Sequence, residues 1–298
     1  MITEAVVRAN ATIPSRTEHV HAALELDFRR TERGTELFCS AQQPPLRVVR
    51  TFPLDDGGAL GHLHNVSGGL LGGDELTLRV HVGEHARVQL TTTGATRIYR
   101  RRAEAGPAVQ INEISVAPGG LLEYVPDQII PFAESRFRQQ TTIHLGEGAG
   151  LFWWEVLTPG RKAGGELFAY EAVEMKTDIF AEQRPIACEH VCLEPARHDY
   201  SSVARMGEYR YWASFYICRR GIAPKDWRSA EDKLRDVADQ MADPGEVRWG
   251  VSTLVADGLA IRCLARRGHQ LFAALRTLWS EAKLMLYGRE AIPPRKVN

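Results

Sequence analysis

The sequence predicts a mainly β fold, with antiparallel and mixed sheets in a stacked or solenoid-like arrangement and two helices near the C-terminus. Many short segments alternate apolar and polar residues, which is the two-residue period of a strand with one face in the core. Glycine-rich turns separate these segments. Helical periodicity appears only late in the chain, so β structure dominates the prediction.

The composition is that of a globular chain large enough to form its own core. Of its 298 residues, 44% are hydrophobic, so burial can stabilise the fold without disulfides. Residues 1–18 are polar and aperiodic, which predicts a flexible leader. Residues 19–298 predict a single β-rich domain.

Charge and hydropathy exclude several classes of partner. Basic and acidic residues balance at 37 each, so no global field attracts nucleic acid or an acidic membrane. Residues 1–20 lack the apolar core of a secretory signal. No apolar stretch reaches the roughly 20 residues that span a bilayer. We therefore expect a cytoplasmic protein.

Its five cysteines are too sparse for a disulfide framework, and we interpret Cys188 and Cys192 as buried thiols.

Five segments carry the strand period most clearly. They are residues 22–28, 76–82, 86–90, 109–116 and 137–145. In the fourth segment the apolar phase shifts by one residue between Ile111 and Ile114, which predicts a β-bulge. Asp257-Gly258 lies between two further apolar runs and predicts a two-residue hairpin turn.

Two helices are predicted after the strands. Ser229 has the chemistry of an N-cap, and apolar residues recur at helical spacing from Leu234 to Met241. A final helix is predicted over about residues 270–287 from the apolar side that begins at Leu271, with Gly288 as its stop signal.

Local signatures of catalysis are missing from the sequence. It contains no G-x-x-x-x-G-K-[ST] phosphate loop, no G-x-S-x-G elbow, no H-E-x-x-H and no C-x-x-C pair. We therefore predict that the chain is not an enzyme.

One segment, residues 65–102, carries a recognisable pattern. It combines Gly68-Gly69 and Gly72-Gly73-Asp74 with an alternating strand, Thr91-Thr92 and Arg97-Ile98-Tyr99-Arg100. This pattern resembles the signature stretch of the UreD family of urease accessory proteins, called UreH in some bacteria. Arg97 stands where the family usually has lysine.

Three further blocks resemble the same family in the same order. They are Leu122–Phe132, the segment from Glu155 to Glu166 with its G-R-K-A-G-G-E run, and the closing Leu278-Trp279, Gly288 and Pro294-Arg295. Each block is weak alone, but four in register make chance similarity improbable.

The resemblance implies a role in inserting nickel into apo-urease. It implies that the chain binds apo-urease and the helical protein UreF, which recruits the GTPase UreG. No tightly bound cofactor is implied, only transient nickel. The absence of a phosphate loop in this chain agrees with an arrangement in which the partner hydrolyses GTP.

A nickel relay requires groups that bind the ion only briefly, because Ni²⁺ stands high in the divalent affinity order. The candidate relay residues are Asp74, Glu75, Glu123, Glu155, Glu166, His62 and His64. Each strand carboxylate could instead simply face water, although Glu155 follows Phe152-Trp153-Trp154, which makes its burial plausible. The candidate partner-binding residues are Arg97, Tyr99, Arg100 and Trp279.

Two other interpretations remain open at this point. A stacked-sheet enzyme, such as a carbohydrate lyase or isomerase, would place carboxylates together in a concave groove. A purely structural β module would have no metal role, and alanine at Asp74, Glu123 or Glu166 would leave nickel transfer intact.

Overall fold

The computed structural model describes residues 19–243 and 245–294, without the side chains of residues 39, 40 and 49. The predicted leader, residues 1–18, and residues 295–298, which include Arg295 of the fourth sequence block, lie outside the described residues.

Strands form the largest share of the described chain. In chain order they are β1 (His21–Thr31), β2 (Gly34–Gln42), β3 (Leu46–Pro53), β4 (Ala59–Asn65), β5 (Glu75–Val82), β6 (Arg87–Thr92), β7 (Thr96–Ile98), β8 (Ala108–Val116), β9 (Leu121–Tyr124), β10 (Ile129–Pro131), β11 (Arg136–Leu145), β12 (Gly150–Leu157), β13 (Ala172–Ala181), β14 (Arg184–Leu193), β15 (Tyr211–Arg219), β16 (Val247–Thr253) and β17 (Gly258–Ala265). The helices are α1 (Pro224–Met241) and α2 (Gly268–Tyr287), with a 3-10 turn at Lys162–Gly164.

These strands form two stacked sheets. Sheet A has the order β14-β13-β11-β8-β5-β1-β2, and sheet B has the order β16-β17-β15-β12-β9-β6-β4-β3 with β7 and β10 attached. The inner strands of each sheet pair in parallel, whereas pairs towards the edges are antiparallel. The predicted fold class, mainly β with mixed stacked sheets and two helices, is confirmed.

The central part of the chain winds between the sheets. From β4 to β13, apart from the short strands β7 and β10, it alternates between sheet B and sheet A, and each new strand lies beside the previous strand of the same sheet. Tight turns of residues 83–86, 117–120 and 146–149 close this winding at one end. Long connections close the other end, which we call the loop end: residues 66–74, 93–107, 125–135 and 158–171.

Hydrophobic burial holds three layers together, because both faces of sheet B are covered. Every residue of β12 is buried. Leu151 and Trp153 pack between the two sheets, whereas Phe152 and Trp154 pack under the helices. On a strand that is covered on both faces, alternate side chains therefore enter two different cores, and neither set faces water.

Strand β8 differs from its predicted form. It pairs with β5 and β11 in continuous register, so the predicted bulge is wrong. The buried phase includes Asn112, which is 1% exposed and donates from Nδ2 to Thr141 Oγ1 at 3.0 Å. The hydrophobic pattern only seemed to shift, because the inner face of β8 carries Asn112, a polar residue whose side chain is hydrogen-bonded.

The C-terminal elements are mostly as predicted. Helix α1 begins six residues earlier than expected, with Pro224 at its first turn and Trp227 buried. The predicted N-cap at Ser229 is wrong, because its Oγ donates to Lys225 O within the helix. Strands β16 and β17 do form a hairpin, but its turn begins at Leu254, whose N–H donates to Gly258 O. Gly288 ends α2 in the left-handed conformation, as predicted.

A buried ion pair fastens α2 to sheet B. Lys283 Nζ lies 2.8 Å from Glu123 Oε1, and Trp279 Nε1 donates to Glu123 Oε2 at 2.7 Å. Both charged side chains are almost fully buried. Glu123 and Trp279 thus join the second and fourth sequence blocks in the core.

Removing one partner of this pair is expected to be costly, because it leaves a buried charge uncompensated. We expect Lys283→Met to lower the free energy of unfolding in urea by about 3–5 kcal/mol. Glu123→Leu/Lys283→Met should cost less than the sum of the two single changes. The control Lys225→Met, at an exposed position of α1, should change little. A loss for Lys283→Met as small as the control's would contradict this role.

Candidate functional site

The four long connections at the loop end contact one another through main-chain hydrogen bonds. Leu70 N–H donates to Arg97 O, and Tyr99 N–H donates back to Leu70 O, both at 2.8 Å. Phe132 N–H donates to Ile98 O at 2.9 Å. Side chains continue the contact: the Tyr99 and Phe132 rings meet edge to face at 5.2 Å. Three connections that are distant in sequence, residues 66–74, 93–107 and 125–135, therefore form one surface.

Glycine permits this close approach in the first connection. A Cβ on Gly69 would lie 2.5 Å from Arg97 O, and Gly73 has a φ of 87°. The first position requires the absence of a side chain, and the second requires a backbone conformation that other residues rarely adopt.

Asp74 and Glu166 organise the loop end. Asp74, 7% exposed, accepts from Leu71 N–H at 2.8 Å and from Val20 N–H at 3.1 Å. Glu166 accepts from Ala133 N–H at 3.0 Å and pairs with Arg161 at 2.6 Å. The hydrogen bond from Ala133 is the main cause that lowers the pKa of Glu166. Both carboxylates therefore have structural partners already.

A cavity of about 250 Å³ opens at the loop end. His64, Gly68 and Arg97 line its outer part, and Gln110 and Tyr124 line its inner part between the sheets. Gln110 Nε2 donates to Asn112 Oδ1 at 3.1 Å, which connects the cavity to the interior.

Polar residues continue across the inside of the sandwich. On sheet A, the directly paired residues are Asn112, Thr141, Thr177 and Glu189. On sheet B, they are Glu155, Ser214 and Arg262. Paired residues on neighbouring strands point to the same side of a sheet. We call these seven residues the polar row, and Gln139 lies beside it.

Glu155 connects the two halves of the polar row. Its carboxylate, 4% exposed, accepts from Gln139 Nε2 and from Thr177 Oγ1, the latter at 3.2 Å. Burial raises the pKa of Glu155 to about 7, against the hydrogen bond from Thr177, which lowers it. Within the described residues, the buried Ser214 Oγ on the adjacent strand has no hydrogen-bond partner.

The polar row reaches the surface at its other end. Glu189 accepts from Tyr216 Oη at 2.8 Å and from Arg262 Nε at 2.6 Å. The Arg262 side chain is half exposed and lines an open groove between the sheet edges. The row therefore runs from the loop-end cavity to the opposite edge of the sandwich.

The predicted relay residues do not converge on one site. Glu123 faces the helices and Glu155 faces sheet A, so the two lie on opposite sides of sheet B. Glu75 begins β5 at a partly exposed position, and His62 packs edge to face on Phe52 at 5.8 Å. Across the described ranges, no three His, Cys, Asp or Glu side chains are grouped to hold a metal ion.

The predicted partner-binding residues are divided between surface and core. Arg97 is exposed, Tyr99 donates to Gly68 O at 3.2 Å, and Arg100 pairs with Glu134 at 2.6 Å. Trp279 is fully buried against Trp154, so the structure does not support a direct partner contact there.

The structure corrects the interpretation of two cysteines. Cys188 and Cys192 are exposed and not buried, because alternate residues of edge strand β14 face outward on sheet A.

Sequence reasoning missed most of the polar row. Gln139, Thr141 and Thr177 occupy inward positions of β11 and β13 and are almost fully buried. Their position in the strand alternation could have revealed them. A polar side chain at an inward-facing position is buried and therefore needs a hydrogen-bond partner in the interior.

Comparison with known proteins decides the family. The profile of the UreD urease accessory protein family matches residues 20–298. The chain belongs to the UreD family. It is similar to the urease accessory protein UreD of Herpetosiphon aurantiacus, with 43% identity over 283 residues that cover 95% of this chain and 98% of the relative.

More distant UreD proteins also align along most of their length. Identity to the urease accessory protein UreD of Halalkalibacterium halodurans is 31% over 281 residues, covering 92% of this chain and 96% of the relative. For that of Bacillus sp. it is 30% over 273 residues, with 92% and 97% covered. UreD membership supports a role in urease maturation. Neither described helix has the length and apolar character needed to cross a membrane.

The raised pKa of Glu155 predicts a pH dependence of stability. Between the ordinary value of 4.5 and about 7, the folded protein holds a proton that the unfolded chain has lost. Stability should therefore fall as pH rises through this window, by up to about 3 kcal/mol from this group. Glu155→Gln should lack that contribution.

Unfolding free energies of both proteins at about pH 5 and about pH 8 would measure it. A wild-type minus Glu155→Gln difference that does not change with pH would contradict the assignment.

Proposed function

We propose that this UreD-family chain is a non-catalytic scaffold in urease maturation. It binds apo-urease and UreF, contacts UreG through UreF, and helps deliver nickel in the cytoplasm. The observation that carries the proposal is the polar row, with a carboxylate at its centre where a sandwich ordinarily has an apolar core.

The chemistry of the polar row favours passage of an ion over its storage. Glu155 is the carboxylate at its centre, and its neighbours Gln139 and Thr177 are neutral. A site with one carboxylate and neutral oxygens holds Ni²⁺ less firmly than a site with several imidazole or thiolate ligands. Because the pKa of Glu155 is about 7, binding a cation requires release of at most one proton near neutral pH.

The loop end has the character of a docking surface for the protein partners. Val66 and Leu71, in its first connection, are 58% and 39% exposed. Exposed Arg97 and partly exposed Tyr99 lie beside them. Arginine, tyrosine and exposed apolar residues are typical of protein interfaces. A partner bound here would also cover the loop-end cavity, so that an ion could enter or leave without release to solvent.

The enzyme alternative, a carbohydrate lyase or isomerase, finds no support in this arrangement. Its carboxylates would have to converge in an open groove. Glu123 and Glu155 instead are buried on opposite sides of one sheet. Glu155 is the position that tests the structural-module alternative. Asp74, Glu123 and Glu166 each hold a structural partner, so that their loss would disturb the fold as well as any metal role.

Substitution at Glu155 is expected to separate delivery from binding. We expect Glu155→Gln to reduce urease activation by at least about tenfold, because it removes the central negative charge of the polar row. Co-purification with UreF and apo-urease should be unchanged. Nickel content and activity of urease after activation by the purified complex are the measurements.

Glu113→Gln is the matched control, since Glu113 lies on the exposed face of sheet A. Glu155→Asp should restore part of the activation if the charge is the cause. Full activation by Glu155→Gln, in a folded protein, would exclude the interior path while leaving the scaffold role intact.

Substitution at Val66 is expected to weaken the binding of partners, which substitution at Glu155 leaves unchanged. Val66→Asp places a charge in the apolar part of the loop-end surface and should weaken co-purification of partners by about tenfold or more. Val255→Asp is the control, because Val255 is 81% exposed in the hairpin turn between β16 and β17. Equal retention of partners by both variants would show that the loop end is not the docking surface.

A further inference from the structure

A second surface, a large open cleft of about 920 Å³, includes one connection of the loop end. Its walls come from the connection of residues 158–171, from the connection between β14 and β15, and from the residues just before α2. It shares no residue with the polar row or with the exposed surface at Val66 and Leu71.

Positive charge exceeds negative charge in this cleft. Its lining contains five cations, Lys162, Arg197, Arg210, Arg266 and Arg267, and three carboxylates, Asp199, Glu208 and Glu246.

Two of the three carboxylates of the cleft lie beside arginines. Glu208 pairs with Arg266, and Glu246 lies 3.4 Å from Arg267. Asp199 accepts from Ser201 N–H at 2.9 Å and from its Oγ at 2.6 Å.

Two cations of the cleft remain available. Lys162 and Arg210 are exposed, and within the described ranges their side chains form no ion pair or hydrogen bond. Cations without local partners, beside neutralised ones, favour an anionic ligand.

Apolar surface accompanies these charges. Leu167 is 38% exposed, and the Phe168 ring stacks on Tyr200 at 6.0 Å. The cleft can therefore bury apolar side chains as well as pair with anions. This combination is typical of a protein interface and unlike a site for a bare inorganic ion.

The distribution of charge distinguishes an acidic peptide from a phosphate compound. Arg266 and Arg267 each have a carboxylate beside them in the cleft, Glu208 and Glu246, and Asp199 adds a third negative charge. A triphosphate concentrates its charge and would meet these carboxylates. A peptide spaces its carboxylates along the chain and offers N–H donors to the acidic residues of the cleft.

We infer that this cleft binds an acidic segment of a protein partner that also carries apolar residues, with Lys162 and Arg210 pairing with its carboxylates and Leu167 and Phe168 contacting its apolar residues. The inference is independent of the nickel path, because no residue of the polar row takes part.

The test is fluorescence anisotropy with the full chain and a fluorescein-labelled dodecapeptide that alternates Asp or Glu with Leu. The matched probe carries Asn and Gln at the acidic positions. We expect binding of the acidic probe that weakens with salt, and at least tenfold weaker binding of the neutral probe.

Charge reversal locates the binding. Lys162→Glu/Arg210→Glu should weaken binding of the acidic probe at least tenfold. Arg33→Glu/Lys225→Glu, at exposed cations outside the cleft, should leave it unchanged, and circular dichroism would verify that both variants are folded.

Three results would overturn the inference. They are no binding of the acidic probe, equal binding of the neutral probe, and equal weakening by both double variants. Displacement of the peptide by inorganic triphosphate at lower concentration than by unlabelled peptide would show a phosphate site instead, and would also overturn it.

Discussion

The Glu155 carboxyl lies between two β-sheets, and this one group constrains both of them. A buried carboxyl requires hydrogen-bond partners, so sheet A must present Gln139 and Thr177 at the level where sheet B presents Glu155. Parallel, in-register pairing then places Thr141 beside Thr177, and Asn112 beside Thr141, so that the polar residues continue across sheet A. The register of the strands and the composition of the interior therefore depend on each other.

The winding of the chain explains why distant sequence blocks act together. Every second passage between the sheets is a long connection, and these connections lie at the same end of the molecule, so that Gly69, Tyr99 and Phe132 come into one surface. The buried pair of Glu123 and Lys283 fixes the helical layer to the opposite face of sheet B. The loop end, the interior and the helices are thus three regions of one framework, in which the winding brings together residues that sequence spacing separates.

Sequence reasoning succeeded where a residue's neighbours along the chain determine its environment. The alternation of β1 and β5, the apolar side of α2 and the stop at Gly288 follow from local periodicity and backbone preference. It failed where the partner is distant. The inward positions of Asn112 and Thr141 depend on a pairing across strands, and the burial of Trp279 depends on Glu123, which is 156 residues away. No periodicity in the sequence encodes those contacts.

The most direct test of an ion path through the sandwich is anomalous diffraction at the nickel edge from crystals soaked with Ni²⁺. The account predicts a peak between the two sheets, within bonding distance of the Glu155 carboxylate, which disappears in Glu155→Gln crystals. Nickel found only on the outer surface, with the interior of the sandwich empty in both proteins, would contradict it.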